Sequence, residues 1–197
     1  RLFKATSGSA LTVLDSILAN VEALNNVVRI KGYENFTSDY DELGLPPHSI
    51  ALVVEGGDEN EIANIIFNKK TPGTDTFGTT KVKITTSSEQ ELEISFSRPE
   101  YKNVNVSVTI TKLSNFTDAV EADIKNNIVQ EFSELSIGQT LYASNLYYAI
   151  LSASGDISSP SFFVNSVLVD NSQKVEASMF QLLTTDVSLI TVIKNEV

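Results

Sequence analysis

Residues 44–99 read GLPPHSIALVVEGGDENEIANIIFNKKTPGTDTFGTTKVKITTSSEQELEISFSRP, and the fold turns on how this stretch is read. Pro46 and Pro47 fix two backbone φ angles and disfavour helix just before them. Residues 49–55 form a short apolar run bounded by turn residues, the pattern of a buried strand. Gly56-Gly57 turns the chain. Asp58 follows as a helix cap, and Glu61, three residues on, completes the signature of a capping box. Ile62, Ala63, Ile65, Ile66 and Phe67 give that helix an apolar face. Gly73 and Gly78 then bracket a loop. Val82 and Ile84, followed by Leu92, Ile94 and Phe96, recur at every second position, which predicts a hairpin turning at residues 87–90. Arg98-Pro99 stops the pairing and marks a domain boundary.

Upstream, residues 9–24 read as a helix, with Leu11, Leu14, Ile17, Leu18 and Val21 on one face and Ser9 as its N-cap. Asn25-Asn26 ends it, and residues 27–31 begin a strand. Residues 34–43, ENFTSDYDEL, read as a polar, acidic loop. Downstream, Val104, Val106, Val108 and Ile110 alternate strictly with other residues, so this strand buries one face and wets the other. Thr117 or Asp118 opens a long helix through Leu135, striped by Val120, Ile124, Ile128, Phe132 and Leu135. Gly138 breaks it. Residues 144–152 form a shorter apolar helix ended by Gly155. Residues 162–169 and 187–193 read as closing strands, and residues 175–183 carry a weaker strand signal. No residue-level repeat joins the halves. The expected fold is α+β: two small domains, 1–99 and 100–197, each with helices packed on a mainly antiparallel sheet.

With 197 residues, 42% of them hydrophobic, and a mean hydropathy of +0.01, the chain can build a real core. A net charge of -11 and a pI near 4.5 disfavour nucleic acid, whose binders need basic side chains to displace counterions. There are no cysteines, so disulfides and thiolate chemistry are excluded, and a reducing compartment fits. No apolar run approaches the roughly 20 residues that cross a bilayer. The chain opens at Arg1 without an initiator methionine or a signal-like segment, and reads as a fragment.

Each candidate for chemistry has a plainer structural reading. The Gly73 to Thr80 segment has glycines at phosphate-loop spacing, but Thr79 stands where that loop needs lysine, and the loop runs from helix to strand. A glycine-bracketed turn is the better reading. Gly56 and Gly57 could offer backbone N–H groups to an anion, except that Asp58 already places a carboxylate there. His48 is the only histidine and reads as a hydrogen-bonded loop residue, with no partner for zinc and no G-x-S-x-G nucleophile elbow. Asp39, Asp41 and Glu42 lack the glycine and the distant glutamate of an EF-hand loop. Asp118, Glu121 and Asp123 sit where the helix dipole favours negative charge. Arg98 reads as buried against a carboxylate of its own fold. Tyr142, Tyr147 and Tyr148 form the aromatic cluster most suited to a subunit contact. Tyr147 and Tyr148, being adjacent on a helix, must face different ways. The expectation is therefore a protein without catalytic residues, cofactor, metal or small-molecule substrate.

The order GLPPHSI, then VVEGGDENEIANIIFNKKTPGTDTFG, then SFSRP, and further on IGQTLYASNLYYAI, resembles the C-terminal portion of the phage baseplate J-like family. The resemblance starts at the first helix and its valine-rich strand and covers most of the chain. It implies a wedge protein of a contractile tail baseplate, or of a related injection machine. Assembly with other wedge and hub or spike proteins, and self-association, would then replace catalysis. It places the chain in the virion tail baseplate, and in host cytoplasm during assembly. The family's part preceding the first helix has no counterpart here. The alternatives are a binding domain of another bacterial secretion or envelope assembly and, third, a hydrolase.

Overall fold

The computed structural model describes residues 12–155 and 160–196, and the fold is α+β, built from several small, mostly antiparallel sheets. The chain divides into two compact units, Arg1–Pro99 and Glu100–Val197, and each sheet draws its strands from one unit.

In the first unit the elements are α1 (Val13–Glu22), β1 (Val27–Asn35), β2 (Ser49–Gly56), α2 (Glu59–Lys69), β3 (Asp75–Phe77), β4 (Thr80–Thr85) and β5 (Glu91–Phe96). The expected Ser9 cap and Leu11 lie outside the described residues. Thr12 caps α1 instead, its hydroxyl accepting from the Asp15 N–H at 3.1 Å while the Asp15 carboxylate accepts from the Thr12 N–H at 3.2 Å. This is the reciprocal box that the sequence led us to expect at α2. At α2, Asp58 alone accepts from Asn60 and Glu61, and Glu61 contributes only its backbone N–H.

β2 lies at the centre of a three-stranded sheet, antiparallel to β1 and parallel to β3. Both of its edges are occupied. β3 pairs with Ser49 to Ala51, and where β3 stops Ser97 takes over, exchanging bonds with Leu52 and Val54. Residues Ser49 to Val54 are all buried, so both faces of this part of the strand are covered, as the unbroken apolar run predicts. Ile50, Leu52 and Val54 share a core with Ile17 and Val21 of α1, Ile62, Ala63 and Ile66 of α2, and Val82, Ile84, Ile94 and Phe96 of the β4–β5 hairpin. Two sequence expectations need correction here. β1 runs through Asn35, into what was read as loop, because residues 33–35 pair with residues 49–51. The glycine-bracketed loop also contains β3, recruited by the free edge of β2.

In the second unit, β6 (Glu100–Asn103), β7 (Val106–Lys112), α3 (Asp118–Ser133), β8 (Leu141–Tyr142), a short 3-10 helix (Ala143–Leu146), α4 (Tyr147–Ser152), β9 (Phe162–Val169), β10 (Lys174–Val175), β11 (Gln181–Thr184) and β12 (Ile190–Asn195) follow in order. β7 is central, antiparallel to β9 and parallel to β12, while β6–β11 and β8–β10 form separate two-stranded ladders. Val106, Val108 and Ile110 of β7 are buried, with Val104 just ahead of the strand, and the opposite face is half-buried rather than wet. Ile124, Ile128 and Phe132 carry the α3 stripe into this core; the helix stops at Ser133 with Glu134 as its cap, short of the expected Leu135 and of Gly138, and Leu135 is buried just beyond it. Phe162 meets Phe116 edge-on at 5.9 Å. Residues 187–189 are a 3-10 turn rather than strand, since Asp186 caps the Ser188 N–H before the chain extends.

Candidate functional site

The diglycine turn is held from behind. Gly56 and Gly57 have φ of 78° and 74°. The Arg98 guanidinium donates to the carbonyls of Val54, Gly56 and Gly57, stands 3.7 Å from the Glu59 carboxylate and 5.1 Å from the centre of the Phe96 ring. The carboxylate expected beside Arg98 is therefore present, but the backbone carbonyls are its closer partners. Gly73 has φ of 82° in an open turn. Gly78 is needed for proximity, because a Cβ there would lie 2.2 Å from the Phe96 carbonyl carbon. With Asp58 as a cap, these residues are architecture.

The tyrosine cluster splits. Tyr147 is partly buried against the second core, whereas Tyr142 and Tyr148 are 49% and 73% exposed. Tyr142 ends β8 and Tyr148 lies in the first turn of α4. The structure thus separates one packing residue from two that face solvent.

His48 is exposed, with φ of 52°, and its backbone donates to Thr37 and accepts from Asp75. Asp39, Asp41 and Glu42 do not converge. Asp41 Oδ1 accepts from the Leu43 and Leu45 N–H groups at 2.9 and 2.8 Å, and Asp39 uses its backbone carbonyl to accept from Asn35 and Thr37. Among the described residues, no group of three or more histidines and carboxylates is placed to hold a metal ion.

These bonds belong to the acidic loop expected from the sequence, to which no functional role was assigned there. Asn35 and Ser49 pair as β1 closes on β2, so residues 36–48 leave and return at one place. Such a closed surface loop holds itself by its own side chains. Asn35, 2% exposed, sits at its base. Its Nδ2 donates to Asp39 O and Leu45 O, each at 2.8 Å, and to Pro46 O at 3.1 Å. Its Oδ1 accepts from the Thr37 N–H and hydroxyl at 2.9 and 2.7 Å. Leu45 is fully buried beneath the loop, while Phe36, Tyr40 and Leu43 stand out at 80%, 71% and 51% exposure. The available signal was three large apolar residues inside an otherwise polar run.

A groove of about 420 Å³ is lined by Asp118, Glu121, Ala122, Lys125, Asn126 and Val187. Of its charges, Glu121 and Lys125 pair at 3.1 Å, and Glu121 also meets Lys194 at 2.7 Å. The Lys194 hydrogen bond, reinforced by Lys125, holds the Glu121 carboxyl below its ordinary range despite some burial. A depressed folded-state pKa contributes stability that is full above the unfolded value and lost as pH falls through the folded one. The urea midpoint difference between wild type and Glu121→Gln should therefore shrink as pH drops below about 4. A difference constant from pH 7 to pH 3 would mean the pairs contribute nothing. Neither Asp118 nor Asp123 joins these ion pairs, and Asp118 takes its place in the first turn of α3 behind the Thr117 cap.

No protein-family model and no curated protein matches this chain. Among the described residues, no helix is long and apolar enough to cross a membrane.

Proposed function

We propose that this chain is a wedge component of a phage, or phage-like, contractile tail baseplate, acting in assembly rather than catalysis. The observation that carries the reading is the order of GLPPHSI, the diglycine-acid step, the Gly73 to Gly78 loop and SFSRP, followed by IGQTLYASNLYYAI. Support also comes from the interdependence of those parts. Ser97 of SFSRP completes the edge of β2, and Arg98 binds the carbonyls of the diglycine turn. Wedge and hub or spike proteins are the partners in this reading, and Tyr142 and Tyr148 are its self-contact residues. The virion tail is its destination.

Light scattering on size-exclusion fractions tests it, across protein concentration and with each neighbouring baseplate protein added. Wild type is expected to form a concentration-dependent dimer or a stable complex with one of them. Tyr142→Ser with Tyr148→Ser should weaken self-association about tenfold, the loss of roughly 1.4 kcal/mol from two exposed aromatics. A strict monomer that binds no baseplate protein would overturn the proposal.

A further inference from the structure

We infer that the β1–β2 loop, residues 36–48, is a preformed docking element that places Phe36, Tyr40 and Leu43 into a basic-rimmed apolar surface of another protein. The inference rests on the baseplate reading for the identity of that protein. Three observations carry it.

First, the loop is ordered by its own bonds around one buried apolar residue, Leu45. Besides the five Asn35 contacts, Asp41 Oδ1 accepts from Leu43 and Leu45, the Asp41 N–H donates to Leu45 O, the Gly44 N–H to Asp41 O, and the Ser49 hydroxyl to Pro46 O. Pro46 and Pro47 stiffen the return. A segment already fixed in one conformation loses little entropy on binding. Long loops of this kind in compact domains are usually functional.

Second, the fixed loop exposes Phe36 at 80%, Tyr40 at 71% and Leu43 at 51%. Buried Leu45 shows that the loop can sequester an apolar side chain when its geometry calls for it. Phe36, Tyr40 and Leu43 are instead held out by a network whose hydrogen bonds are internal. Aromatic side chains on a rigid support are the usual anchors of interface hot spots.

Third, the charged residues of the loop and of its neighbours along the chain have one sign. Glu34, Asp39, Asp41 and Glu42 lie in or beside the loop, and no lysine or arginine occurs from Gly32 to Asn68. These carboxylates favour a partner that offers positive charge. A second copy of this chain, at net -11, is disfavoured as the occupant of this loop, and so is an anionic membrane.

The test uses the whole chain with Phe36, Tyr40 and Leu43 all changed to Ser, together with Tyr142→Ser/Tyr148→Ser for comparison. All five side chains are substantially exposed, so the fold should persist, and circular dichroism melting verifies this. Each purified neighbouring baseplate protein is titrated by calorimetry at low and high salt. The expected result is that one of them binds wild type, that the loop variant binds about 30-fold more weakly, and that affinity falls several-fold between about 50 and 500 mM NaCl. Equal binding by wild type and the loop variant would overturn the loop inference and leave the baseplate reading standing. Binding by neither, to any of those proteins, would overturn both. Binding of phosphatidylcholine vesicles, or a dimer, that the loop substitutions abolish would also overturn it, by showing a different occupant.

Discussion

Gly56→Ala should lower the unfolding free energy of the first unit by about 3–5 kcal/mol. Two costs combine. At φ of 78° an L-residue is strained by about 1–2 kcal/mol. In addition, an alanine Cβ would fall 2.0 Å from the Asn26 carbonyl oxygen, which accepts the Gly57 N–H at 3.0 Å. That oxygen is backbone at the entry to β1, so relief means moving the strand. Gly44→Ala is the control. It has the same φ of 78°, yet a Cβ there meets nothing within 4 Å, so only the conformational cost, about 1 kcal/mol, remains. Urea unfolding of both variants separates the terms, and equal losses would show that the contact with Asn26 is easily relieved.

Asn35→Ala should cost about 2–3 kcal/mol and should loosen residues 36–48 selectively. The amide is buried and serves Asp39, Leu45, Pro46 and Thr37 at once. Pro46 O retains the Ser49 hydroxyl, Leu45 O retains the Asp41 N–H, and Asp39 O retains the Thr37 hydroxyl, which bounds the loss. The Thr37 N–H loses its acceptor outright. Hydrogen exchange is the decisive readout: the Thr37 and Leu45 amides should exchange much faster while those of α2 barely change. Unchanged protection at both would mean that Leu45 packing alone holds the loop.

The legible parts of the fold were those whose pattern is local. The buried run of β2, the Asp58 cap, the period-two hairpin and the α3 stripe each depend on neighbours within a few residues. Long-range pairing was not legible. β3 has three residues and no period of its own, and exists because β2 offers an edge. β6 and β11 are joined in parallel across residues 100–103 and 181–184, which no short window contains. The capping-box signature misled because Glu61 and Asp15 stand in the same register to their caps, and only Asp15 turns back. At the candidate site, helical geometry sufficed to separate Tyr147 from Tyr148. The role of Asn35 was hidden, because its five bonds depend on where the returning chain brings Leu45 and Pro46.

The parallel pairing of β12 with β7 has a consequence during synthesis. β7 ends at Lys112 and its partner begins at Ile190, so the ribosome must add roughly 80 residues between them. At about 5–20 residues per second, that edge of β7 waits between about 4 and 16 seconds for its mate. Until β9, which begins at Phe162, is made, both edges of β7 are open, and after that the β12 edge stays open alone, the condition under which chaperone capture or mispairing with a neighbouring polysome product competes with completion.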